Sequence, residues 1–309
     1  MVKNIFIKIA VVFISSAFLI SCGNSNDDLD AEKEMRLLRQ YMESKNIDSE
    51  PNASGLYYIP TREGSGAVAG LNKWVVIKYT ARLINDRIFD TTDESIARSS
   101  SVFSSSLLYG PRRLNVATLS IKGVQEGLLM MREGGRATLI IPSSLGFGSS
   151  GTAAVPGYST LVYDIELITV IDDPEVYETE LIDSYISLYN DSTHLTVTEK
   201  ESGLFYIELL EGTGEEMPAE PERVSLFYHG TLTDGRVFDS NIGGSVFSFN
   251  IGANQTIAGF EEAVKLMKKE GRSRIVVPSY LGYGVEGSGS KIVGYTPLVF
   301  DLELVNITE

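Results

Sequence analysis

Residues 298–304 read Leu-Val-Phe-Asp-Leu-Glu-Leu, and residues 161–167 read Leu-Val-Tyr-Asp-Ile-Glu-Leu. From the third residue of each stretch, apolar and acidic side chains alternate. This period of two predicts a β-strand with one buried face and one solvated face. Because the segment occurs twice in a chain of 309 residues, it predicts two related β-rich domains and not one large core.

The repeat extends through most of the chain. Tyr79 corresponds to Tyr228 at an offset of 149 residues, whereas Ile121 corresponds to Ile257 at an offset of 136. The first copy therefore carries 13 extra residues between these two points. Two long copies are typical of a tandem of domains, whereas a solenoid needs several short repeats.

These offsets and the composition of the connecting segments predict the domain boundaries. The predicted divisions are a signal peptide at 1–21, a lipidated tether at 22–29, a helix at 30–48, domain 1 at 49–171 with an insertion at about 91–118, a linker helix at 172–194, and domain 2 at 195–309.

An apolar stripe at helical spacing precedes each domain. It comprises Leu37, Leu38, Tyr41 and Met42 in the first copy, and Leu181, Ile182, Tyr185 and Ile186 in the second. Such a stripe predicts an amphipathic helix. The favoured interpretation is that each helix packs on its own domain; the alternative is a docking face for a partner.

Overall composition excludes several classes of function. Lys and Arg total 26 against 41 Asp and Glu, which gives a net charge of −15 and argues against nucleic-acid binding. A single Cys excludes internal disulfides and cysteine-based zinc sites, and two His leave little for a histidine metal centre. We therefore predict no metal site and no cofactor.

The N-terminus has the pattern of an export signal. An apolar run at residues 9–20 follows two lysines and is too short to span a bilayer, but it fits a signal peptide. The run ends in Leu-Ile-Ser-Cys-Gly at residues 19–23, which resembles the lipobox of bacterial lipoproteins. That resemblance implies lipid attachment at Cys22; the alternative is an uncleaved anchor with an incidental cysteine.

A polar segment after Cys22 contains an acidic pair at residues 27–28. The pair resembles a sorting signal of some Gram-negative lipoproteins, although two acidic residues are also typical of a solvated linker. We expect an outer-membrane lipoprotein that faces the periplasm or the cell surface, held to the membrane by its N-terminal lipid.

Within each copy, most of the pattern is that of β-strands, and one helix interrupts it. The helix is predicted from apolar residues at i, i+4 and i+7, namely Val124, Leu128 and Met131 in the first copy and Phe260, Val264 and Met267 in the second. The expected fold class is α+β, an antiparallel sheet with one short helix laid across it.

Six motifs of the second copy carry a specific resemblance. They are Tyr-His-Gly at 228–230, Asp-Gly-Arg-Val-Phe-Asp-Ser at 234–240, Phe-Ser-Phe-Asn-Ile-Gly at 247–252, Ile-Ala-Gly-Phe-Glu-Glu at 257–262, Tyr-Leu-Gly-Tyr-Gly at 280–284 and Leu-Val-Phe-Asp at 298–301. In this order and spacing they resemble the FKBP-type peptidyl-prolyl cis-trans isomerases. The resemblance implies two FKBP-like domains, each a half-barrel of five or six antiparallel strands wrapped around a short helix.

In domain 2 the resemblance implies an aromatic hollow that holds proline. Its catalytic residues would be Tyr228, Phe238, Asp239, Ile257, Phe260, Tyr283 and Phe300, and Phe247, Thr256 and Ile292 would bind substrate. Phe260 would form the floor, where the family usually has Trp. The backbone N–H of Ile257 and the hydroxyl of Tyr283 would donate to substrate carbonyls, and Asp239 would lie at the rim.

Domain 1 matches the same pattern with departures. Its corresponding substrate-binding residues are Tyr79, Phe89, Asp90, Ile121, Val124, Phe147 and Tyr163. Val124 removes the aromatic floor, and Phe147 lacks the tyrosine hydroxyl. Neither Phe103 nor Tyr109 of the insertion aligns with the pocket aromatic Phe247. We therefore expect domain 1 to be weakly active or inactive and to bind client chains.

The sequence thus predicts a membrane-anchored prolyl isomerase that assists the folding of exported proteins, with proline-containing polypeptides as clients and with activity mainly in domain 2. The alternative is a non-catalytic chaperone or scaffold module of this fold in an envelope assembly.

Overall fold

The computed structural model describes residues 25–193 and 195–308. The predicted signal peptide, Cys22 and His194 lie outside these residues. No helix in the described part of the chain is long and apolar enough to cross a membrane.

Domain 1 is built on a six-stranded antiparallel sheet with the order β1-β5-β6-β2-β3, in which β4 also pairs with β2. Its elements are α1 (Ser25–Ser44), β1 (Tyr57–Arg62), β2 (Trp74–Leu83), β3 (Ile88–Thr91), α2 (Glu94–Ser99), β4 (Arg112–Asn115), α3 (Lys122–Leu129), β5 (Arg136–Ile141) and β6 (Leu161–Ile171). Helix α1 begins at Ser25, within the predicted tether, and ends at Ser44, so the helix expected at 30–48 starts five residues earlier.

Domain 2 repeats this plan in a seven-stranded antiparallel sheet with the order β10-β9-β13-β12-β8-β7, in which β11 also pairs with β9. Its elements are α4 (Pro174–Thr193), β7 (Thr198–Glu199), β8 (Phe205–Leu210), β9 (Arg223–Leu232), β10 (Val237–Ser240), β11 (Phe247–Asn250), α5 (Ala258–Val264), β12 (Arg272–Val277) and β13 (Leu298–Thr308). The short β7 adds one strand to the expected five or six. The predicted α+β class is confirmed in both domains.

Each core lies between the sheet and the short helix that crosses it. In domain 1 the predicted helical triad of Val124, Leu128 and Met131 is buried in one cluster with the inward face of the sheet. In domain 2 Phe260, Val264 and Met267 are buried in the equivalent cluster. The first two residues of each triad lie on the buried face of the helix, as predicted. The third, Met131 or Met267, is buried but lies beyond the end of the helix, which stops at Leu129 in domain 1 and at Val264 in domain 2.

Glycines let the helix of domain 1 approach its sheet closely. A Cβ on Gly123 or on Gly127 would collide with the side chain of Ile141 or Leu139, respectively. In domain 2 a Cβ on Gly259 would lie 2.6 Å from Cγ1 of Val277. These positions have no room for even one more methyl group.

The apolar stripes that precede the domains pack on the opposite face of each sheet. Leu38 of α1 is buried with Ile140 and Val162 of domain 1. Ile182 of α4 is buried with Val276 and Val299 of domain 2. The interpretation that each helix packs on its own domain is therefore confirmed for these contacts.

A buried glutamate on each preceding helix also binds its own domain. Glu34 accepts hydrogen bonds from the backbone N–H and the hydroxyl of Ser143 and from the hydroxyl of Thr160. Glu178 accepts the equivalent pair from Ser279, with 2.6 Å between its Oε2 and the serine Oγ. Both serines begin a 3₁₀ turn that follows a sheet strand, so each helix fixes the start of the loop leading to the last strand.

The close helix–sheet contact makes a prediction for stability. Gly123→Ala should lower the free energy of unfolding of domain 1 by about 1–3 kcal/mol, the usual cost of overpacking, because Ile141 must move. Trp74 is the only tryptophan in the chain and lies on β2, so urea denaturation followed by tryptophan fluorescence reports on this domain.

Gly70→Ala is the matched control, since a Cβ there would meet only the flexible Lys73 side chain at 3.7 Å. It should change the free energy of unfolding by less than about 0.5 kcal/mol. Equal changes in the free energy of unfolding for Gly123→Ala and Gly70→Ala would contradict the explanation by close helix–sheet contact.

Candidate functional site

An aromatic cluster around Phe260 fills the space between α5 and the sheet of domain 2. The centroid of the Phe260 ring lies 5.2 Å from that of Phe300, 5.8 Å from Tyr228 and 6.4 Å from Phe247, all in edge-on geometry. Phe238 packs on Phe300 at 5.4 Å. Edge-on contacts of this kind stabilise an aromatic cluster and fix the ring orientations.

The cluster changes from buried to exposed in one direction. Phe260 is only 4% exposed, whereas Tyr283 is 38% exposed and Asp239 is also exposed. The structure therefore brings the predicted floor residue and the predicted rim residues of domain 2 to the two ends of one site.

A hydrogen bond ties the rim to the cluster. The hydroxyl of Tyr228 donates to Oδ2 of Asp239 at 2.7 Å. Burial raises the pKa of Tyr228, and this hydrogen bond raises it further, so the phenol remains a donor at neutral pH. Asp239 also accepts a hydrogen bond from the backbone N–H of Ser240 at 2.9 Å, which fixes the carboxylate beside the apolar rings.

Two donors at this site have no assigned acceptor among the described residues. Ile257 is the residue before α5, and its carbonyl accepts hydrogen bonds from Phe260 and Glu261, while its own N–H bonds to no described group. The hydroxyl of Tyr283 is the second donor. Burial and the nearby Asp239 carboxylate raise the pKa of Tyr283, which keeps the hydroxyl protonated.

The remaining two predicted residues of domain 2 differ in their surroundings. Ile292 is buried within the aromatic core cluster, as expected of a residue that lines the hollow. Thr256 is half-buried, and its hydroxyl oxygen is buried with no hydrogen-bond partner among the residues that the structure describes. It directly precedes Ile257, so an unpaired polar group lies next to the free N–H.

Domain 1 has the same Tyr–Asp pair but a cation in place of one ring. The hydroxyl of Tyr79 donates to Oδ2 of Asp90 at 2.7 Å. In β4, Arg112 pairs with Ile77, just as Phe247 in β11 pairs with Leu226. Arg112 therefore occupies the place of the pocket aromatic, and its guanidinium donates to the Tyr79 hydroxyl at 2.7 Å.

The aromatic rings of domain 1 pack on one another in the core cluster that contains Val124, the residue at the place of Phe260. Tyr163 lies 5.7 Å from Tyr79 and 6.0 Å from Phe89, and Phe89 lies 6.2 Å from Phe147. Val124 is buried beneath them in the same core cluster, and the half-buried Ile121 directly precedes α3. The predicted residues of domain 1 do come together, but the Tyr79 hydroxyl is engaged by both Asp90 and Arg112.

Sequence reasoning missed Arg112 and Glu178. Arg112 was hidden because the insertion breaks the constant offset between the copies, and only the strand pairing shows its equivalence to Phe247. Glu178 and Glu34 are 144 residues apart, the same offset as Leu37 and Leu181, so that repeat was a signal that could have found them.

No group of three or more His, Cys, Asp or Glu side chains among residues 25–193 and 195–308 could hold a metal ion. The site in domain 2 is an apolar aromatic cluster with two free donors and one carboxylate at its rim. The fold and this site together define a class of α+β domains in which an antiparallel sheet and a short helix enclose an aromatic cluster.

The sequence model of the FKBP-type peptidyl-prolyl cis-trans isomerases matches residues 66–168 and 214–305. These two regions together make up more than half of the chain, one in each domain. The chain therefore belongs to this family, and the predicted resemblance is confirmed.

Individual relatives match parts of the chain. The macrophage infectivity potentiator of Trypanosoma cruzi is 39% identical over 109 residues, which are 35% of this chain and 55% of that protein. Peptidyl-prolyl cis-trans isomerase FKBP9 of Rattus norvegicus is 31% identical over 188 residues, 60% of this chain and 28% of that protein. This chain thus spans about half, or less, of the length of these curated relatives.

Solved structures of the same kind include FkpA from Escherichia coli. It is 28% identical to this chain with a TM-score of 0.39, and the match covers 48% of this chain and 63% of that one.

The buried phenols of domain 1 make its stability depend on pH. Burial is the main cause that raises the pKa of both Tyr79 and Tyr163 above the ordinary value of 10.0. The folded domain thus holds these protons more tightly than the unfolded chain does. The stabilisation is complete below pH 10 and is lost as the pH rises above it, because the unfolded tyrosines ionise first.

We expect the free energy of unfolding of domain 1, followed by Trp74 fluorescence, to decrease as the pH rises from 10 to 11. In Tyr163→Phe the decrease should be smaller, because one titrating phenol is gone. A decrease of the same size in the variant and the parent chain would show that Tyr163 does not cause it.

Proposed function

We propose that domain 2 catalyses cis-trans isomerisation of peptidyl-prolyl bonds and that domain 1 contributes little turnover of its own. The observation that carries this proposal is the aromatic cluster around Phe260, which opens to solvent at Tyr283 and Asp239. A proline ring is apolar and fits an aromatic slot, and the amide before it can meet the donors at the rim.

The chemistry of the reaction matches these groups. Rotation about a peptide bond has a barrier of about 18–20 kcal/mol because resonance keeps the amide planar. No bond is broken, so no nucleophile is required. A site that binds the twisted amide more tightly than the planar one accelerates the rotation, and each ~1.4 kcal/mol of preference gives about a tenfold rate increase.

The residues of domain 2 can supply that preference. The rings around Phe260 exclude water from the proline side of the substrate. The N–H of Ile257 and the hydroxyl of Tyr283 can each donate to a substrate carbonyl, and fixed donors cost no reorganisation during the reaction. The Asp239 carboxylate, held by Tyr228, can favour the altered charge distribution of the twisted amide.

Domain 1 lacks several of these features. Val124 replaces the ring of the floor, Phe147 has no hydroxyl, and Arg112 bonds to the Tyr79 hydroxyl. A guanidinium at the place of Phe247 makes the slot polar and weakens its affinity for proline. This supports a binding or supporting role for domain 1 over a catalytic one.

We further propose that the protein assists the folding of exported proline-containing polypeptides while anchored to the outer membrane through lipid on Cys22. The proposal is supported by the apolar run at residues 9–20 and the Leu-Ile-Ser-Cys-Gly motif that ends it. Two acyl chains are enough for stable membrane anchoring, whereas one gives only marginal binding. A non-catalytic scaffold of the same fold is the alternative.

Substitutions at the rim of domain 2 test the catalytic proposal. Asp239→Asn should lower kcat/KM for a proline-containing peptide by about tenfold, equivalent to losing ~1.4 kcal/mol of transition-state stabilisation. Tyr283→Phe should lower it by about two- to tenfold, because one hydrogen bond contributes about 0.5–1.5 kcal/mol. The measurement is the isomerisation rate of the chain lacking residues 1–21.

Asp90→Asn makes the matched change in domain 1 and should lower kcat/KM by less than about twofold if domain 2 carries the activity. A tenfold loss in this variant would assign the activity to domain 1 instead. A parent chain with a rate near the uncatalysed background would favour the scaffold alternative.

A substitution at Cys22 tests the membrane anchor. In a Gram-negative host, the full chain should be recovered in the outer-membrane fraction, and mass spectrometry of its N-terminal peptide should show a lipid on the cysteine. Cys22→Ala should carry no lipid and leave that fraction, since no acyl chains remain to hold it. Retention of Cys22→Ala in the outer membrane would contradict the proposed anchor.

A further inference from the structure

The loop that leads to the last strand of domain 2, residues 282–297, carries two residues of the candidate site. Tyr283 provides the free hydroxyl, and Ile292 packs in the aromatic cluster. The loop has internal hydrogen bonds, among them one from the Tyr295 N–H to the Gly284 carbonyl at 3.0 Å. We call this segment the substrate loop.

Domain 1 contacts the substrate loop directly. The guanidinium of Arg113 donates from one nitrogen to the carbonyl of Gly294 at 2.5 Å and to the hydroxyl of Thr296 at 2.6 Å. The ring of Trp74 lies edge-on to that of Tyr295, with 6.0 Å between centroids. These contacts hold the end of the loop nearest to β13.

The insertion of domain 1 makes a second set of contacts. The hydroxyl of Ser290, in the substrate loop, donates to the carbonyl of Ser106 at 2.8 Å. Leu108 packs against the core cluster of domain 2. Arg236 of domain 2 in turn donates to the carbonyl of Pro111 at 3.1 Å. The extra residues of the first copy thus reach the second domain.

Arg113 occupies an unfavourable environment for a charge. It is only 9% exposed, its Nε has no hydrogen-bond partner in the described part of the chain, and burial lowers its pKa. Its acidic neighbour Glu178 is already bonded to Ser279. Burying a cation without a paired carboxylate costs free energy. The guanidinium also lies 5.9 Å from the ring centroid of Trp74 and 6.0 Å from that of Tyr177, and its hydrogen bonds to the substrate loop add to these favourable interactions.

Among residues 25–193 and 195–308, no arginine of domain 2 makes the equivalent contact with the last loop of domain 1. The residue of β11 at the place of Arg113 is Ser248, because Arg113 pairs with Val76 and Ser248 with Ser225. The equivalent loop of domain 1 is held from within its own domain, where Arg87 donates to the carbonyl of Ala154 at 2.7 Å.

We propose that Arg113 is a positioning residue for the site of domain 2, and that domain 1 acts on catalysis by holding the substrate loop in place. The proposal rests on the proposed function of domain 2. The insertion of domain 1, which includes β4, thereby contributes to the substrate affinity of domain 2. Without these contacts the substrate loop would move more freely, and Tyr283 and Ile292 would be in position to bind substrate for a smaller fraction of the time.

The test compares Arg113→Met, Arg113→Lys and the matched control Arg87→Met in the chain lacking residues 1–21. Arg113→Met should raise KM for a proline-containing peptide by about three- to tenfold with kcat changed by less than about twofold, since the lost contacts act on binding. Arg113→Lys should recover part of the affinity, because an ammonium can still donate to one of the two acceptors. Arg87→Met should match the parent.

Hydrogen exchange gives a second readout that does not depend on activity. The amides of Gly287 and Tyr295, which bond within the substrate loop, should exchange at least about fivefold faster in Arg113→Met and at the parental rate in Arg87→Met. If Arg113→Met does not fold, Arg113→Lys carries both measurements, with smaller expected changes.

The outcomes separate this proposal from the proposed function. An inactive parent chain would overturn the catalytic function and with it the effect on KM, while exchange would still decide whether Arg113 holds the loop. An active parent with unchanged KM and unchanged exchange in Arg113→Met would overturn the positioning role alone. Equal effects of Arg113→Met and Arg87→Met would also overturn it.

Discussion

The close contact between a short helix and the inward face of the sheet is the constraint on which both domains depend. At Gly123 and Gly259 the helix lies so near the strand that a Cβ would enter the van der Waals space of Ile141 or Val277. This contact fixes the height of the helix above the sheet. It therefore also fixes the residue that follows each glycine, Val124 or Phe260, at the centre of the core.

The side chain at that central position, Phe260 or Val124, determines how the other aromatic rings of each domain pack. Phe260 gives the neighbouring rings of domain 2 a common edge-on partner, and the resulting cluster continues to the exposed rim. Val124 offers no ring, so the tyrosines and phenylalanines of domain 1 pack on one another, and Arg112 bonds to Tyr79. The same scaffold thus holds an aromatic cluster that reaches the exposed rim in one copy, and a cluster whose tyrosine hydroxyl is bonded to an arginine in the other.

The two domains also differ in how their last loops are held. A buried glutamate of the preceding helix binds the start of each loop, at Ser143 or Ser279. Beyond this shared contact, the loop of domain 1 is bound by Arg87 of its own domain. The loop of domain 2 is bound by its own Lys291, which donates to the carbonyl of Phe238, and in addition by Arg113 of the neighbouring domain. A repeated fold has therefore acquired a dependence between its copies, and the inserted segment supplies part of it.

The amino-acid sequence by itself determined the α+β class, the two copies and the rings of the domain 2 site, because strand period, helical spacing and motif order are local properties. The start of α1 was predicted less well, since its first four residues, Ser25 to Asp28, are all polar and add no apolar signal to the helical pattern. Only the tertiary structure decided the places of Arg112 and Arg113. The insertion removes the offset that would align Arg112 with Phe247, and the acceptors of Arg113 lie in another domain, so only strand pairing and packing bring these groups together.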